Sequence, residues 1–137
     1  AVFEHLGGVD VVFQVAAVAD FRPHRVLPEK WKRSGGVVPI ELESTPDILA
    51  EIAGKKSGAF LVGFAAETEK VLENAGRKLK EKGLDLIVAC DVTRGGLGSE
   101  EAAMSILDSD GPAEELPRMR KEEIAARILD RVERRLN

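Results

Sequence analysis

Small residues and one carboxylate follow an apolar, β-branched segment near the start of the chain. Gln14, Val15 and Ala16 end this segment, and Asp20 comes shortly after them. In open α/β sheets ligands bind at the carboxyl ends of strands, where small side chains let a ligand approach the backbone. Asp20 could then accept a hydrogen bond from a ligand or coordinate a metal ion. The alternative is that the alanines pack against a helix and Asp20 caps a turn, and composition alone favours this alternative.

A basic segment interrupts a protein that is acidic overall, with a net charge of −4. It comprises residues 28–33, which include Lys30, together with Arg22 and Arg25. Lysine and arginine side chains on one loop suit a polyphosphate or a centre that becomes anionic during a reaction. The alternative is a solvated charge run, which is the commoner case. Trp31, the single tryptophan, could anchor the loop or contact a partner subunit.

Two lysines and one aromatic residue complete the set of candidate ligand contacts. Lys78 and Lys82 are four residues apart and therefore share one face of a helix, where two ammonium groups would suit phosphates. Exposure of both lysines to solvent is the alternative. Phe64 lies in the small-residue segment 63–68 and could stack on a base or a sugar. By itself Phe64 is more typical of a core residue, and Glu67 with Thr68 is more typical of a helix cap.

Several classes of protein are disfavoured by composition. One cysteine, Cys90, excludes an intramolecular disulfide framework and any CxxC site, and the absence of tyrosine excludes tyrosine-dependent reductases. The glycine-rich segment 94–99 is neither a Walker A loop nor a dinucleotide fingerprint. A pI near 5.3 argues against nucleic acid as a partner. Since no apolar run approaches the ~20 residues of a membrane span, the sequence predicts a cytoplasmic α/β domain with no membrane partner.

The 137 residues suffice for one domain, residues 1–137, in which apolar runs alternate with amphipathic stretches. This alternation is typical of a mostly parallel sheet flanked by helices. The predicted strands are residues 9–16 (buried), 37–43 (at an edge, because of Pro39), 59–64 and 84–89, with a terminal hairpin or edge strand around 104–111. The predicted helices are residues 69–82 and 121–136, one starting at Thr45-Pro46-Asp47 with Thr45 as its cap, and the last turn of another at 1–6. The last long helix should bury Ile124, Ile128, Leu129, Val132 and Leu136.

Five of these segments, in the same order and spacing, resemble phosphopantothenoylcysteine synthetase, also called phosphopantothenate–cysteine ligase. They are VAAVADF at 15–21, PEKWKR at 28–33, TPDI at 45–48, GFAAET at 63–68 and LDLIVA at 84–89. The resemblance extends from about residue 9 to the C-terminal helix. It implies a Rossmann-like three-layer α/β fold with a mostly parallel sheet. It also implies that the chain begins partway through the domain and lacks the N-terminal strand–loop–helix.

The resemblance implies a reaction in coenzyme A biosynthesis. Family members in bacteria use CTP and a divalent cation, Mg²⁺ or Mn²⁺, to convert 4'-phosphopantothenate into an acyl-cytidylate, which cysteine then attacks to form the amide. Activation is needed because a carboxylate is a poor acyl donor, and cations stabilise the negative charge that develops. Family members form homodimers. In most bacteria the ligase is fused to a flavin-dependent decarboxylase, so FMN would belong to a half that is not present here.

By position, the resemblance assigns roles to individual residues. The backbone of Gln14-Val15-Ala16 and the Asp20 side chain match the cytidine pocket, and Lys30 matches the loop lysine that supports catalysis. The remaining matches, all to the nucleotide site, are Pro46, Asp47, Ile48, Leu49, Phe64, Lys78 and Lys82. The metal ligands are not assigned.

The sequence departs from the family in two places. Cys90 stands where the family usually has asparagine, so that residue's hydrogen bonds are not expected here. The family's N-terminal glycine-rich segment and its asparagine-serine-serine-glycine loop have no counterpart, so we expect these 137 residues alone to be weakly active or inactive. A non-catalytic dimerising or nucleotide-binding fragment therefore remains the alternative. A nicotinamide-dependent reductase is disfavoured, because the dinucleotide fingerprint and tyrosine are both missing.

Overall fold

The structure, a computed structural model, describes residues 2–32, 35–55, 58–95 and 98–137. Ala1, Arg33, Gly96 and Leu97, which belong to segments singled out above, lie outside the described residues. The strands are β1 (Val11–Gln14), β2 (Phe21–Pro23), β3 (Leu42–Ser44), β4 (Phe60–Glu67), β5 (Leu86–Asp91), β6 (Glu101–Asp108) and β7 (Glu114–Arg120). The α-helices are α1 (Ile48–Lys55), α2 (Val71–Glu81) and α3 (Lys121–Leu136), and short 3₁₀ turns cover Val2–Glu4 and Val92–Arg94.

The main sheet has the strand order β1-β4-β5-β6-β7, and β2 pairs with β3 in a separate two-stranded sheet. β1, β4 and β5 are mutually parallel, and each of their connections carries a helix, as parallel pairing requires. β6 is antiparallel to β5, and β7 is antiparallel to β6, so β7 runs in the same direction as β5. The prediction of a mostly parallel sheet is therefore confirmed, as is the terminal hairpin.

The helices cover both faces of the main sheet. Ile124, Ile128 and Val132 of α3 pack on one face in a cluster with Leu86 and Ile106. On the other face, a second cluster joins the sheet to α1 and α2 through Ile52, Ala75, Leu79, Leu61 and Ile87. Two helical layers around one sheet give the three-layer Rossmann-like arrangement that the family resemblance implied.

Gly63 shows how closely β4 and its neighbours pack. A Cβ atom at this position would lie 2.6 Å from Leu84 Cδ1 and 3.3 Å from Leu49 Cδ2. Both leucines belong to the cluster on the face of the sheet that α1 and α2 cover. A side chain at this position would have to displace the ends of both leucine side chains, so glycine lets the sheet and this layer pack closely.

Three predictions about strands and burial are wrong in detail. β1 is shorter than predicted and only half-buried, because it lies at the edge of the sheet, where Phe13 is 38% exposed. The predicted strand 37–43 is mostly not a strand: β3 begins at Leu42 and pairs with β2, which the sequence did not indicate. In α3 the predicted bounds are confirmed, but Leu129 and Leu136 are exposed rather than buried.

The predicted helical turn at residues 1–6 is a 3₁₀ turn at Val2–Glu4, followed by Gly8 in a left-handed conformation with φ of 81°. Within the described part of the chain, no helix has both the length and the apolar character needed to cross a membrane.

Candidate functional site

A cleft of about 550 Å³ opens at the carboxyl edge of the parallel strands. This is where the end of β1, the second half of β4 and the end of β5 lie side by side, and it is the usual ligand position in open α/β sheets. The cleft brings together eleven of the twelve residues predicted for the nucleotide site: Gln14, Val15, Ala16, Asp20, Pro46, Asp47, Ile48, Leu49, Phe64, Lys78 and Lys82.

One wall of the cleft is the segment after β1, which is tied to the start of α1 by two hydrogen bonds. The Thr45 hydroxyl donates to the carbonyl of Ala19, and the Thr45 amide donates to the carbonyl of Asp20 at 2.9 Å. Thr45 therefore connects two parts of the wall. Sequence reasoning missed Thr45 as a cleft residue, and a hydroxyl directly before a Pro-Asp helix start was the available signal.

The prediction that Thr45 caps α1 is wrong. Since its hydroxyl is bonded to Ala19, the capping group is Asp47, whose Oδ1 accepts the amide hydrogen of Ala50 at 3.1 Å. Asp47 directly precedes Ile48, the first residue of α1. The hydrogen bond from Ala50 lowers the pKa of the Asp47 carboxyl, partial burial opposes this, and the ammonium of Lys82 lowers it further. Asp47 is thus a carboxylate that both begins a helix and meets a lysine.

Lys78 of α2 and Lys82, the C-cap residue directly after α2, line the cleft, and each is held by a carboxylate. Lys78 Nζ lies 2.6 Å from Glu67 Oε1, and Lys82 Nζ lies 3.2 Å from Asp47 Oδ2. The lysine side chains are 33% and 34% exposed, so they are only partly withdrawn from solvent. The prediction that they share a helical face agrees with this placement, and the face is the one that meets the cleft.

The floor of the cleft is mostly apolar. Ala65, Ala66 and Val88 line it together with Phe64, which is half-buried and also packs against the core cluster under α3. Phe64 is therefore a core residue and a cleft residue at once, and the two interpretations of its role are compatible. A floor of this kind can take the flat face of a base or a sugar.

Cys90 also lines the cleft, next to the half-buried end of β5. Burial raises the pKa of its thiol, and the nearby charge of Asp91 adds to the effect, so the thiol is neutral at pH 7. Its Sγ is directed to the carbonyl of Gly95 at 3.9 Å. A neutral thiol is a poor nucleophile, so Cys90 is not a candidate for covalent chemistry.

Lys30 is the predicted site residue that the structure leaves away from the cleft. It is exposed on the loop between β2 and β3 and does not line the cavity. The neighbouring basic residues are partly neutralised, since Arg22 Nε lies 2.7 Å from Glu43 Oε1 and His24 Nδ1 lies 2.8 Å from Glu43 Oε2. The hydrogen bonds with His24 and then with Arg22 lower the pKa of Glu43. Arg22, which belongs to the basic segment, is thus paired with a carboxylate.

The cleft residues could hold a metal ion only if a bound ligand supplied part of its coordination. Among the residues that the structure describes, no group of three or more histidine, cysteine, aspartate or glutamate side chains could hold a metal ion. The carboxylates that line the cleft are Asp20 and Asp47. One or two carboxylates are what Mg²⁺ commonly takes from a protein when phosphates supply further oxygens. The donor set therefore suits a cation that enters with a polyphosphate.

The fold and the cleft define a Rossmann-like α/β domain with a lysine-lined cleft at its strand ends. A family model described as "DNA/pantothenate metabolism flavoprotein C-terminal domain" matches residues 1–136. The chain belongs to this family, which confirms the family relationship that the motifs indicated.

Named relatives agree with this assignment. The chain is 43% identical over 125 residues to "Coenzyme A biosynthesis bifunctional protein CoaBC" of Bacillus subtilis (strain 168), covering 90% of this chain and 31% of the relative. It is 41% identical over 123 residues to the protein of the same name from Escherichia coli (strain K12), covering 85% of this chain and 30% of the relative. The chain thus spans about a third of the length of these relatives.

A solved structure extends the likeness to three dimensions. The "C-terminal Domain of Coenzyme A biosynthesis bifunctional protein CoaBC" superposes with a TM-score of 0.78 at 39% sequence identity. The match covers 98% of this chain and 59% of that chain. Fold and family are therefore shown by sequence and structure together.

Proposed function

We propose that this chain is the nucleotide-binding part of a phosphopantothenate–cysteine ligase of coenzyme A biosynthesis. The observation that carries the proposal is the cleft at the strand ends, where Lys78 and Lys82 meet the small-residue segment after β1. In the proposed reaction, CTP converts the carboxylate of 4'-phosphopantothenate into an acyl-cytidylate with release of pyrophosphate. The amine of cysteine then displaces CMP and forms the amide. The relatives named above are coenzyme A biosynthesis proteins, which supports this choice of reaction.

We propose that the cleft has a base end and a phosphate end. We assign cytidine to the backbone of Gln14, Val15 and Ala16 and to the Asp20 side chain, with Phe64 in contact with the nucleotide. Backbone groups at a strand end can read the edge of a base by hydrogen bonding, as Asp20 can through its carboxylate.

The proposed phosphate end of the cleft carries two lysine ammonium groups, each already paired with a carboxylate. The triphosphate would lie against Lys78 and Lys82, and the segment Pro46–Leu49, which leads into α1 at Ile48, adds the positive end of a helix. Fixed positive charge at this end stabilises the pyrophosphate that leaves in the first step. A bound Mg²⁺ or Mn²⁺ would neutralise further phosphate charge.

Lys30 is proposed as the catalytic lysine of the loop. Because its side chain does not line the cleft, this role requires the loop between β2 and β3 to approach the bound nucleotide. If the loop brings the Lys30 ammonium to the bound nucleotide, this ammonium would stabilise negative charge on the reacting carboxylate and phosphate. In the complete enzyme, Lys30→Gln should lower turnover; unchanged turnover would remove Lys30 from the mechanism.

Ligand-induced stabilisation tests the assignment of the cleft. We expect CTP to raise the melting temperature of the chain more than ATP or 4'-phosphopantothenate does, because at equal concentration the ligand that binds most tightly stabilises the folded chain most. A ligand at 100 times its dissociation constant adds about 2.7 kcal/mol. Lys82→Gln should weaken this response. Lys80→Gln is the matched control, since Lys80 lies in the last turn of α2, two residues before Lys82, but is exposed and does not line the cleft.

The second candidate function is a non-catalytic fragment that dimerises or binds nucleotide. The observation that favours it is the exposed apolar surface around β2 and β3, where Phe21 is 59%, Trp31 56%, Ile40 66% and Leu42 59% exposed. A homodimer through this surface is also part of the main proposal. Dimerisation in sedimentation experiments with no melting response to any of the three ligands would favour the second candidate. Full CTP-dependent ligation by these 137 residues alone would overturn the expectation that they are weakly active.

A further inference from the structure

Glu67 is a buried carboxylate directly beside the proposed phosphate end of the cleft. It is the last residue of β4 and only 9% exposed. Its Oε1 accepts a hydrogen bond from Lys78 Nζ at 2.6 Å. Lys78 lines the cleft, whereas Glu67 does not. The carboxylate therefore lies behind the lysine, where a ligand in the cleft meets the ammonium group and not the carboxylate.

We propose that Glu67 is a positioning residue that holds the Lys78 ammonium at the cleft in the arrangement that a polyphosphate needs. The inference rests on the proposed function, because it assigns Glu67 a part in binding the triphosphate. Glu67 has no expected contact with the nucleotide. Its effect on binding passes through Lys78.

The need for such a residue follows from the flexibility of lysine. A free lysine side chain loses up to about 2 kcal/mol of rotamer entropy when it is fixed. When an ion pair already fixes the lysine in the free protein, ligand binding costs less of this entropy, so more of the interaction with phosphate contributes to affinity. A charge-assisted hydrogen bond of 2.6 Å is strong enough for this purpose. The lysine ammonium has three donors, so two remain for phosphate oxygens.

The pair of Lys82 with Asp47 differs in a way that singles out Glu67. The Asp47 carboxylate is 49% exposed, against 10% for that of Glu67, and the contact with Lys82 is longer at 3.2 Å. Asp47 also caps α1, so its position serves the helix as well as the lysine. Glu67 has no corresponding hydrogen bond to a helix start among the described contacts. The Glu67 carboxylate is thus explained by its contact with Lys78.

An opposite effect of Glu67 must be weighed, since its negative charge also reduces the positive potential that a phosphate meets. Three features favour the anchoring effect. The carboxylate is buried behind the ammonium, the ammonium keeps two donors toward the cleft, and the lysine side chain is long. We therefore expect loss of the carboxylate to weaken polyphosphate binding rather than to strengthen it.

The test is to measure the affinities of CTP, CDP and CMP by isothermal titration calorimetry on the full 137-residue chain. The variants are Glu67→Gln, Lys78→Gln and the double variant. Glu67→Gln keeps the shape of the side chain and removes its charge. We expect it to weaken CTP binding about five- to tenfold, which is on the order of 1 kcal/mol, and CMP binding less than twofold. In the double variant, Glu67→Gln should add no further loss to that of Lys78→Gln.

Glu81→Gln is the matched control for the charge change. Glu81 forms an ion pair with Arg77 at 3.0 Å on the same helix, but its side chain is 58% exposed and does not line the cleft. This variant removes one acidic charge from α2 without affecting the proposed site. We expect its CTP affinity to stay within twofold of that of the unchanged chain.

The possible results separate this inference from the proposed function. Equal or tighter CTP binding by Glu67→Gln, an equal loss for CTP and CMP, or losses that add in the double variant would each overturn the positioning role and leave the nucleotide site in place. If the unchanged chain binds none of the three nucleotides, both proposals are wrong. The double variant leaves no buried unpaired charge, so even if Glu67→Gln alone does not fold, a further loss of CTP affinity relative to Lys78→Gln would overturn the positioning role.

Discussion

Two ion pairs in this fold join a buried carboxylate at the end of a strand to a cation on a helix, yet their surroundings differ. Glu67 ends β4 at the carboxyl edge of the sheet and meets Lys78 of α2. Asp108 ends β6 at the opposite edge, where it is in register with Leu86 at the start of β5, and meets Arg131 of α3 at 2.7 Å. Lys78 borders the cleft, whereas Arg131 is 16% exposed and does not line it.

The difference lies in what the remaining polar groups of each pair contact. Arg131 also reaches Glu114 at 3.9 Å and the carbonyl of Pro112 at 3.4 Å, and Asp108 Oδ1 accepts the amide hydrogen of Asp110. These groups are satisfied within the protein, so the pair fastens the β6–β7 hairpin to α3. The cation of the other pair borders the cleft. The same chemistry therefore serves stability at one edge and, on our proposal, binding at the other.

The largest expected effect is the loss of stability in Asp108→Asn. This change leaves the Arg131 guanidinium mostly buried without its carboxylate, a situation that typically costs 3–5 kcal/mol. We expect a loss of roughly 3 kcal/mol in the free energy of unfolding, because the new amide oxygen can still accept one hydrogen bond. Urea denaturation measures the loss, and CTP affinity should not change. A loss below about 1 kcal/mol would show that this pair resembles a surface ion pair.

The pH dependence of stability provides a second test of the Asp108 pair. Burial by itself raises the pKa of the Asp108 carboxyl, but the hydrogen bond from Arg131, that from the amide of Asp110 and the charges of Arg131 and Arg135 outweigh it, and the pKa lies below its ordinary 3.8. The unfolded chain therefore takes up the proton first, and the contribution of this group is lost as the pH falls.

The difference in unfolding free energy between the unchanged chain and Asp108→Asn should accordingly be constant from pH 7 down to about pH 5. It should shrink as the pH falls through 3.8 toward the lower pKa of the folded state. Urea titrations at several pH values measure it. Using the difference between the two chains cancels the contributions of lowered-pKa carboxylates that do not interact with Asp108, such as Asp47. A difference that grows on acidification would contradict the assigned direction.

The comparison also shows what the sequence could and could not predict. The bounds of α3 follow from apolar residues at helical spacing, but that pattern did not reveal that Leu129 and Leu136 are exposed. The apolar run of β1 looks the same for a central strand as for the edge strand that it is. Local periodicity predicts elements, whereas burial depends on which element lies beside them.

The site was predictable for a different reason. The lining of the cleft follows strand ends and helix starts, which have local signals and, in this chain, family motifs. The contact of Glu67 with Lys78 had no such signal, because Glu67 was interpreted as a cap of the following helix. The residue at the start of α2 is Lys70 in a left-handed conformation, with no side-chain cap. Glu67 and Lys78 are eleven positions apart, and their contact depends on how α2 packs across the end of β4.

The third prediction compares the stability effects of the two pairs directly. Glu67→Gln should cost about 1.5 kcal/mol in the free energy of unfolding, roughly half the cost of Asp108→Asn. Lys78 is a third exposed and can turn to water when its partner is lost, while Arg131 cannot do so as readily. Urea denaturation of both variants under the same conditions measures the ratio. Equal losses would mean that the Glu67 pair is also mainly a packing element, which would remove the contrast between the two edges.

The smallest expected effect concerns Asp47, where a cap and an ion pair share one carboxylate. Asp47→Ala removes both, and we expect a loss of about 1 kcal/mol, typical of an N-cap. Asp47→Asn keeps a capping oxygen for the Ala50 amide and loses only the pair with Lys82. Since that pair is largely exposed, its loss should cost no more than about 0.5 kcal/mol. If Asn costs as much as Ala in urea denaturation, the contact with Lys82, and not the cap, is the main contribution of Asp47, and the cleft then holds two ion pairs of similar strength.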